Sequence, residues 1–171
     1  MLKSKIRNKF LKTRKNSNKK NIQIKFDKIY KLLKKTTNLR NKIVGGYYPV
    51  NYEIDDLNIL GRLEKKKITI SLPSIKKNYK MNFIKCSLNA PFVLNQYGIP
   101  EPSSGTIVNP DILLVPLVAF DRNLNRLGYG AGYYDRVIES LKKKKKIITI
   151  GLAFDFQEFS SIPTSKYDQK L

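Results

Sequence analysis

The sequence predicts a single-domain α/β protein, a mostly parallel sheet with helices on both faces. Three observations lead there. Short β-branched runs ending at Gly or Pro alternate with stretches of helical period, and strands separated by helices favour parallel pairing. The run Ile112 to Val115 is continuously apolar, as expected of a strand buried on both sides. The chain of 171 residues, 41% hydrophobic and 27% charged, suffices for one core and falls short of two ordinary domains. Residues 1–171 therefore read as one domain that includes the basic segment 1–40.

Leu2, Ile6 and Phe10 recur every four residues and predict a first helix, interrupted at Asn16-Ser17-Asn18. Lys3, Arg7 and Arg14 fall on a neighbouring stripe of it. Ile22, Phe26, Ile29 and Leu33 predict a second helix, followed by a connection over 38–42. Ile43-Val44 with Tyr47-Tyr48 predicts a strand closed by Pro49. Glu53 to Leu63 has acids in its first turn and apolar Leu57 and Leu60, which predicts a helix. Ile68 to Leu72 predicts a strand ended by Pro73, and Met81 to Cys86 another. Residues 87–110 hold four prolines and read as a long ordered loop. The buried strand from Ile112 ends at Pro116, Tyr133 to Leu141 has helical spacing, and Ile147 to Leu152 is the last strand. There is no internal repeat.

Composition excludes several chemistries. With no His and one cysteine, Cys86, the chain cannot build a Ser-His-Asp triad, a His-metal site, a disulfide framework or a Cys-rich zinc site. Its longest apolar run, Ile112 to Phe120, is far shorter than the ~20 residues that span a bilayer, and no apolar stretch follows the basic N-terminus to make a secretory signal. A soluble cytoplasmic protein is expected. Lys+Arg number 34 against 13 Asp+Glu, a net charge of +21, and residues 1–40 carry +14 of it. Lys, Asn, Ile and Tyr are abundant together, so compositional drift accounts for that charge ahead of a nucleic-acid partner.

The most informative stretch is Asp111 to Arg136, DILLVPLVAFDRNLNRLGYGAGYYDR. A buried strand leads into a loop in which Gly128, Gly130 and Gly132 precede a helix. Glycines let backbone N–H groups close on an anion, and the helix N-terminus favours negative charge. Arg126 suits a phosphate contact and Asp135 a phosphate-bound Mg²⁺. The spacing is neither GxxxxGK[ST] nor GxGxxG. On these residues alone, a glycine turn capping an ordinary helix, with Asp135 favouring its dipole, stands equally open.

The whole stretch resembles the 5-formyltetrahydrofolate cyclo-ligase (methenyltetrahydrofolate synthetase) family, which has a strand ending in proline, then AFD, then RLGYGxGYYDR. Here these are Leu114-Val115-Pro116, Ala119-Phe120-Asp121 and Arg126 through Arg136. Lys3 and Arg7 match the basic pair of the family's first helix, Tyr48-Pro49 with Glu53 its folate-facing segment, and Gly98-Ile99-Pro100-Glu101-Pro102 its GIxEP. Gly151-Leu152-Ala153-Phe154 with Gln157, and then Pro163 and Asp168, match its C-terminal portion. The agreement spans nearly the full chain.

The resemblance implies a NagB/RpiA/CoA-transferase-like fold and an ATP-dependent closure of 5-formyltetrahydrofolate to 5,10-methenyltetrahydrofolate, releasing ADP and phosphate. It implies that ATP is bound by Lys3, Ser4, Lys5, Ile6 and Arg7 and by Arg126, Leu127, Gly128, Tyr129, Gly130, Ala131, Gly132, Tyr133 and Tyr134. Lys3, Arg7 and Arg126 would be catalytic. Tyr48 and Glu53, with Tyr129 through Tyr133, would meet the folate. Asp135 and Asp168 would hold Mg²⁺. A monomer is expected, with no membrane or nucleic-acid partner. Read from the residues, Arg136 is expected in a structural ion pair, Cys86 as a buried small residue, and Lys142 to Lys146 as a solvated run. Two departures bear on the site: Leu124 stands where the family usually has Gly, which predicts a different bend, and Tyr167 stands where it often has His.

Overall fold

In the computed structural model, which describes residues 2–17 and 24–171, six strands form one sheet. The elements run α1 (Lys3–Asn16), α2 (Phe26–Thr36), β1 (Ile43–Gly45), α3 (Leu57–Lys65), β2 (Thr69–Lys76), β3 (Lys80–Cys86), β4 (Phe92–Leu94), β5 (Pro100–Pro102), β6 (Ile107–Val108), β7 (Ile112–Pro116), β8 (Ala119–Phe120), β9 (Arg126–Leu127), α4 (Tyr133–Lys144) and β10 (Ile148–Leu152). The sheet order is β10-β7-β1-β2-β3-β6, in which β10, β7, β1 and β2 pair in parallel while β3 and β6 extend the sheet antiparallel. Asn18 and Ile22, used in the sequence reading, lie outside the described residues.

Side-chain alternation along the strands builds a layer on each face. Val44, Ile70, Leu72, Ile112 and Leu114 point to one side and pack under Phe26, Ile29 and Leu33 of α2 and Ile59, Leu60 and Leu63 of α3. Leu113 and Val115, one residue out of phase, pack on the other side with Phe83 under Ile138 and Leu141 of α4. The expected helices on both faces are therefore present. The first helix docks separately, Ile6 and Phe10 meeting Val118, Ala119, Leu127 and Ile162.

Several boundaries differ from expectation. The first strand stops at Gly45 and excludes Tyr47-Tyr48, because the chain turns at once against α3. A Cβ on Gly46 would lie 2.4 Å from both Asp56 Oδ2 and Leu60 Cδ1. The third helix starts at Leu57 instead of Glu53, since Asp55 takes the Leu57 N–H (2.8 Å) and Asp56 the Tyr47 N–H (3.0 Å). The second strand runs through Pro73. Its β1 partner pairs only as far as Ser71, and Ile75 donates its N–H off the β3 edge to Glu101 (2.9 Å). Pro73 shares that parity, so its missing donor falls on an unpaired edge. The segment 87–110 contains β4, β5 and β6 in place of a continuous loop; Glu101 binds this ribbon to β2 through Ser74 Oγ (2.9 Å) and Ile75 N. Among the described residues Arg136 meets the Tyr79 carbonyl (3.1 Å) and the Tyr79 and Tyr133 rings, which replaces the expected ion pair. Cys86 is half-buried, and Lys142 to Lys144 belong to the last turn of α4.

Candidate active site

The chain leaves β1 toward β2 on one side and β7 toward β10 on the other, so the winding reverses between β1 and β7. In open α/β sheets ligands sit beyond the carboxyl ends of the strands at that reversal. A cavity of about 950 Å³ lies there, bordered by Tyr47 after β1, Pro116 at the end of β7, and Pro73 and Ile75 late in β2. The glycine loop 128–132 and the N-terminus of α4 form one wall, and Lys3 and Arg7 of α1 reach in beside them. Arg7 Nε donates to the Gly128 carbonyl at 2.8 Å. Gly130 has φ +108, and a Cβ there would meet the Arg7 guanidinium at 3.1 Å. Gly132, with φ +70, is the N-cap of α4. The wall thus combines a helix N-terminus, whose first N–H groups have no partner within the helix, with two cations, suited to an anion.

Arg126 lines the same wall with its side chain only 3% exposed, donating to Asp135 Oδ1 at 2.8 Å; its Nε has no hydrogen bond. Asp135 Oδ1 also accepts the Gln169 N–H (3.0 Å), which brings Asp168 close by. Asp168 Oδ2 receives Lys3 Nζ and the Ser165 N–H, both at 2.5 Å. Burial pushes the Asp168 carboxyl up, and the Lys3 and Ser165 hydrogen bonds outweigh it, so the group lies below the ordinary aspartate range. Each aspartate has one oxygen engaged in these contacts. Among the described residues no group of three or more His, Cys, Asp or Glu could hold a metal. Two carboxylates beside an anion wall nevertheless fit Mg²⁺, which takes one or two carboxylates and fills its remaining positions with phosphate oxygens and water.

Facing this wall is the turn after β1. Val50 to Glu53 close through Glu53 N–H to Val50 O (3.0 Å), and Glu53 Oε2 takes the Val50 N–H (2.9 Å). Oε1 of Glu53 is buried with no hydrogen bond. Burial pushes this carboxyl above the usual glutamate range, against the opposing pull of the Val50 N–H, Arg14 and Tyr129. The Tyr129 hydroxyl is pushed up to about 12 by its own burial and by the Glu53 charge. Tyr48 lines the cavity and tilts onto Phe92, ring centroids 6.3 Å apart. An acceptor held half-desolvated beside aromatic walls suits a flat heterocycle with N–H groups on its edge.

The cavity brings together Lys3, Arg7, Tyr48, Glu53, Asp135, Asp168 and the run Arg126, Leu127, Gly128, Tyr129, Gly130, Ala131, Gly132, Tyr133 and Tyr134. Three residues of α1 stand elsewhere. Ile6 is fully buried in the core beside Val118, and Ser4 and Lys5 face solvent. Helical geometry is the reason: with 3.6 residues per turn, of residues 3–7 only Lys3 and Arg7 share the face turned to the loop. Tyr134 points its hydroxyl into a buried, unpartnered position, and Tyr133 exchanges a hydrogen bond with Tyr97 at 3.2 Å. Sequence reasoning missed Asn51, Asn95 and Tyr97 on the cavity wall and Arg14 behind it. Arg14 had a legible signal, its place on the stripe of Arg7, while the other three lie in aperiodic segments. Asp121 and Gln157, from the same motifs, serve the scaffold. Asp121 accepts four hydrogen bonds from Asn123, Asn125 and Ile162. Gln157 donates to the carbonyls of Leu117 (3.0 Å) and Val118 (2.9 Å).

The chain is similar to known proteins in sequence and in fold. The 5-formyltetrahydrofolate cyclo-ligase family profile matches residues 1–171. A Haemophilus influenzae protein named 5-formyltetrahydrofolate cyclo-ligase is 33% identical over 138 residues, covering 76% of this chain and 73% of the relative. One of the same name from Mycoplasma genitalium is 35% identical over 123 residues, covering 68% of this chain and 63% of the relative. The NMR structure of Aquifex aeolicus 5,10-methenyltetrahydrofolate synthetase superposes with a TM-score of 0.79 at 31% identity, covering 100% of this chain and 87% of that one. The Mycoplasma pneumoniae 5,10-methenyltetrahydrofolate synthetase, at 23% identity and TM-score 0.76 with 100% and 96% coverage, shares the fold. Among the described residues no helix is long and apolar enough to cross a membrane.

Proposed function

Because the chain belongs to the 5-formyltetrahydrofolate cyclo-ligase family, we propose that it converts 5-formyltetrahydrofolate to 5,10-methenyltetrahydrofolate with ATP as phosphoryl donor, in the cytoplasm. One observation carries this reading: a glycine loop with its cations and a buried carboxylate with an oxygen to spare border a single cavity. That volume, about 950 Å³, lies at the large end of ligand sites, as two substrates require.

The chemistry asks little covalent work of the protein. The formyl group on nitrogen-5 is an amide whose oxygen leaves poorly. Transfer of the γ-phosphoryl forms an O–P bond to that oxygen and releases ADP. Nitrogen-10 then attacks the formyl carbon, the C–O bond breaks, phosphate departs and nitrogen-10 loses its proton. Both nitrogens belong to one molecule, so orientation supplies much of the acceleration. Glu53 Oε1 would accept N–H groups of the pterin edge, with Tyr48 against the ring. Lys3, Arg7 and Arg126 would neutralise the β- and γ-phosphates as charge shifts in the transition state, and the α4 N-terminus would add its N–H groups. Asp135 and Asp168 would hold Mg²⁺, which would screen the phosphate charge when bound with the nucleotide. No histidine and no enzyme nucleophile is needed.

The test is a near-ultraviolet assay of methenyltetrahydrofolate formation from 5-formyltetrahydrofolate, ATP and Mg²⁺, with ADP counted in parallel. The expected result is one ADP per product. Asp135→Asn should lower kcat by ~10²-fold or more and raise the Mg²⁺ concentration needed. Folded wild-type protein that forms no product at any substrate level would end this reading.

A further inference from the structure

Arg14 lies two helical turns beyond Arg7 and is 3% exposed. Burying a guanidinium is costly unless its donors are used. Its two terminal nitrogens go to different elements: Nη1 donates to the Leu117 carbonyl at 3.1 Å, and Nη2 donates to the Tyr129 hydroxyl. Its guanidinium carbon also stands 5.7 Å from the Tyr129 ring centroid. Tyr129 belongs to the glycine loop and borders the same cavity as Asn51 and Glu53 of the facing turn, where the Glu53 charge raises its hydroxyl. The 50–53 turn needs an anchor, because Asn51 (φ 49) and Tyr52 (φ 62) are consecutive non-glycine residues in the left-handed region. Such strain persists only where the surroundings enforce it.

We infer that Arg14 is a positioning residue for the cyclisation: through the Tyr129 hydroxyl it ties the 50–53 turn to the glycine loop, keeping the pterin acceptor and the phosphate wall in register. The inference rests on the cyclo-ligase reading of the site. Arg14 touches neither substrate; its effect passes through Tyr129 and Glu53.

A pH readout separates this role from a merely structural one. Glu53 is faced by the Val50 N–H and Tyr47 from its own segment, Asp56 from the start of α3, Arg14 from α1, and Tyr129 and Tyr134 from the glycine loop and α4. Burial raises its carboxyl, and Arg14 and Tyr129 are among the groups that draw it down. Pterin binding uses the ionised form and is lost as pH falls through that pKa. Removing either helper raises the pKa, so the acid limb moves to higher pH.

The experiment measures kcat and KM for both substrates from about pH 5 to about pH 9 in Arg14→Met, Arg14→Lys, Tyr129→Phe, the Met/Phe double variant and Lys12→Met. Arg14→Met and Tyr129→Phe should each raise the folate KM roughly 10-fold, with a smaller effect on ATP, and should shift the acid limb upward. Arg14→Lys should not rescue, because an ammonium lacks the fork that spans both acceptors. The double variant should be no worse than the weaker single. Lys12 is exposed on the outer face of α1, and Lys12→Met should leave the limb in place. Folded Tyr129→Phe with wild-type KM and limb, or singles whose effects multiply in the double, would overturn the inference. If Arg14→Met does not fold, Arg14→Gln, which keeps an amide donor without the charge, takes its place in the comparison with Tyr129→Phe and in the double variant. A wild-type enzyme that does not turn over would instead strike the cyclo-ligase reading.

Discussion

Leu124 shows how a single residue can bear strain for a turn. It has φ +64 and is 56% exposed. Its N–H reaches the Asp121 carbonyl at 3.1 Å, and its own carbonyl accepts the Leu171 N–H at 3.0 Å. The resembled family usually has Gly here, and a different bend was the expectation. Leu124 itself stands in the left-handed region that suits Gly, held by the hydrogen bonds that Asp121 gathers on both sides. A leucine side chain pays roughly 1–2 kcal/mol in that region, while Gly loses more backbone entropy on folding. Leu124→Gly should therefore raise stability by a net ~0.5–1 kcal/mol, read as a higher urea midpoint with an unchanged slope. A lower midpoint would mean that the exposed side chain packs usefully after all.

At the scale of an element, α1 is the least self-sufficient part of the site. It has no acid in its first turn, and Lys3 and Lys5 oppose the dipole at that end. Its docking comes from Ile6 (0% exposed) and Phe10 (6%), each worth roughly 1.5–3 kcal/mol by burial. Polar fasteners then set its register: Lys3 to Asp168, Arg7 to Gly128, and Arg14 to Leu117 and Tyr129. The glycine loop is shaped to receive it, so Gly130→Ala should push Arg7 away and strain a backbone at φ +108. The expected result is a 10- to 100-fold loss in kcat/KM for ATP, about 1.4–2.7 kcal/mol. The thermal midpoint should fall by a few degrees. Unchanged ATP kinetics would show that Arg7 does not need its present seat.

The whole molecule carries +21, and +14 of that sits in residues 1–40. Several of the ion pairs that offset it are exposed, such as Arg122–Glu158 and Lys143–Glu139, and exposed pairs add little. Self-repulsion should dominate the long-range electrostatics. Raising salt from about 20 mM to about 300 mM shortens the Debye length to below 10 Å. The thermal midpoint should then rise by several degrees, as differential scanning fluorimetry would read. A midpoint that falls with salt would mean that ion pairs such as Lys3–Asp168 and Arg126–Asp135 outweigh the net charge.

Local chemistry was legible in the sequence. The period of Ile6 and Phe10, the apolar run at Ile112 and the glycines before Tyr133 state what each segment does on its own, and these became α1, β7 and the loop capping α4. The ordered motifs identified the family, and most of the residues they singled out share one cavity. Tertiary structure decided what depends on partners distant in the chain. Pro73 stays inside a strand because a neighbouring strand ends early. Glu53 lies ahead of a helix instead of opening it, and becomes a buried acceptor. Arg14 finds its partners 103 and 115 residues away, and Ile6 turns to the core while Lys3 and Arg7 turn to the loop. Periodicity and turn chemistry act over a few residues and are written locally. Burial, desolvation and the completion of hydrogen bonds arise only when separate elements are packed together.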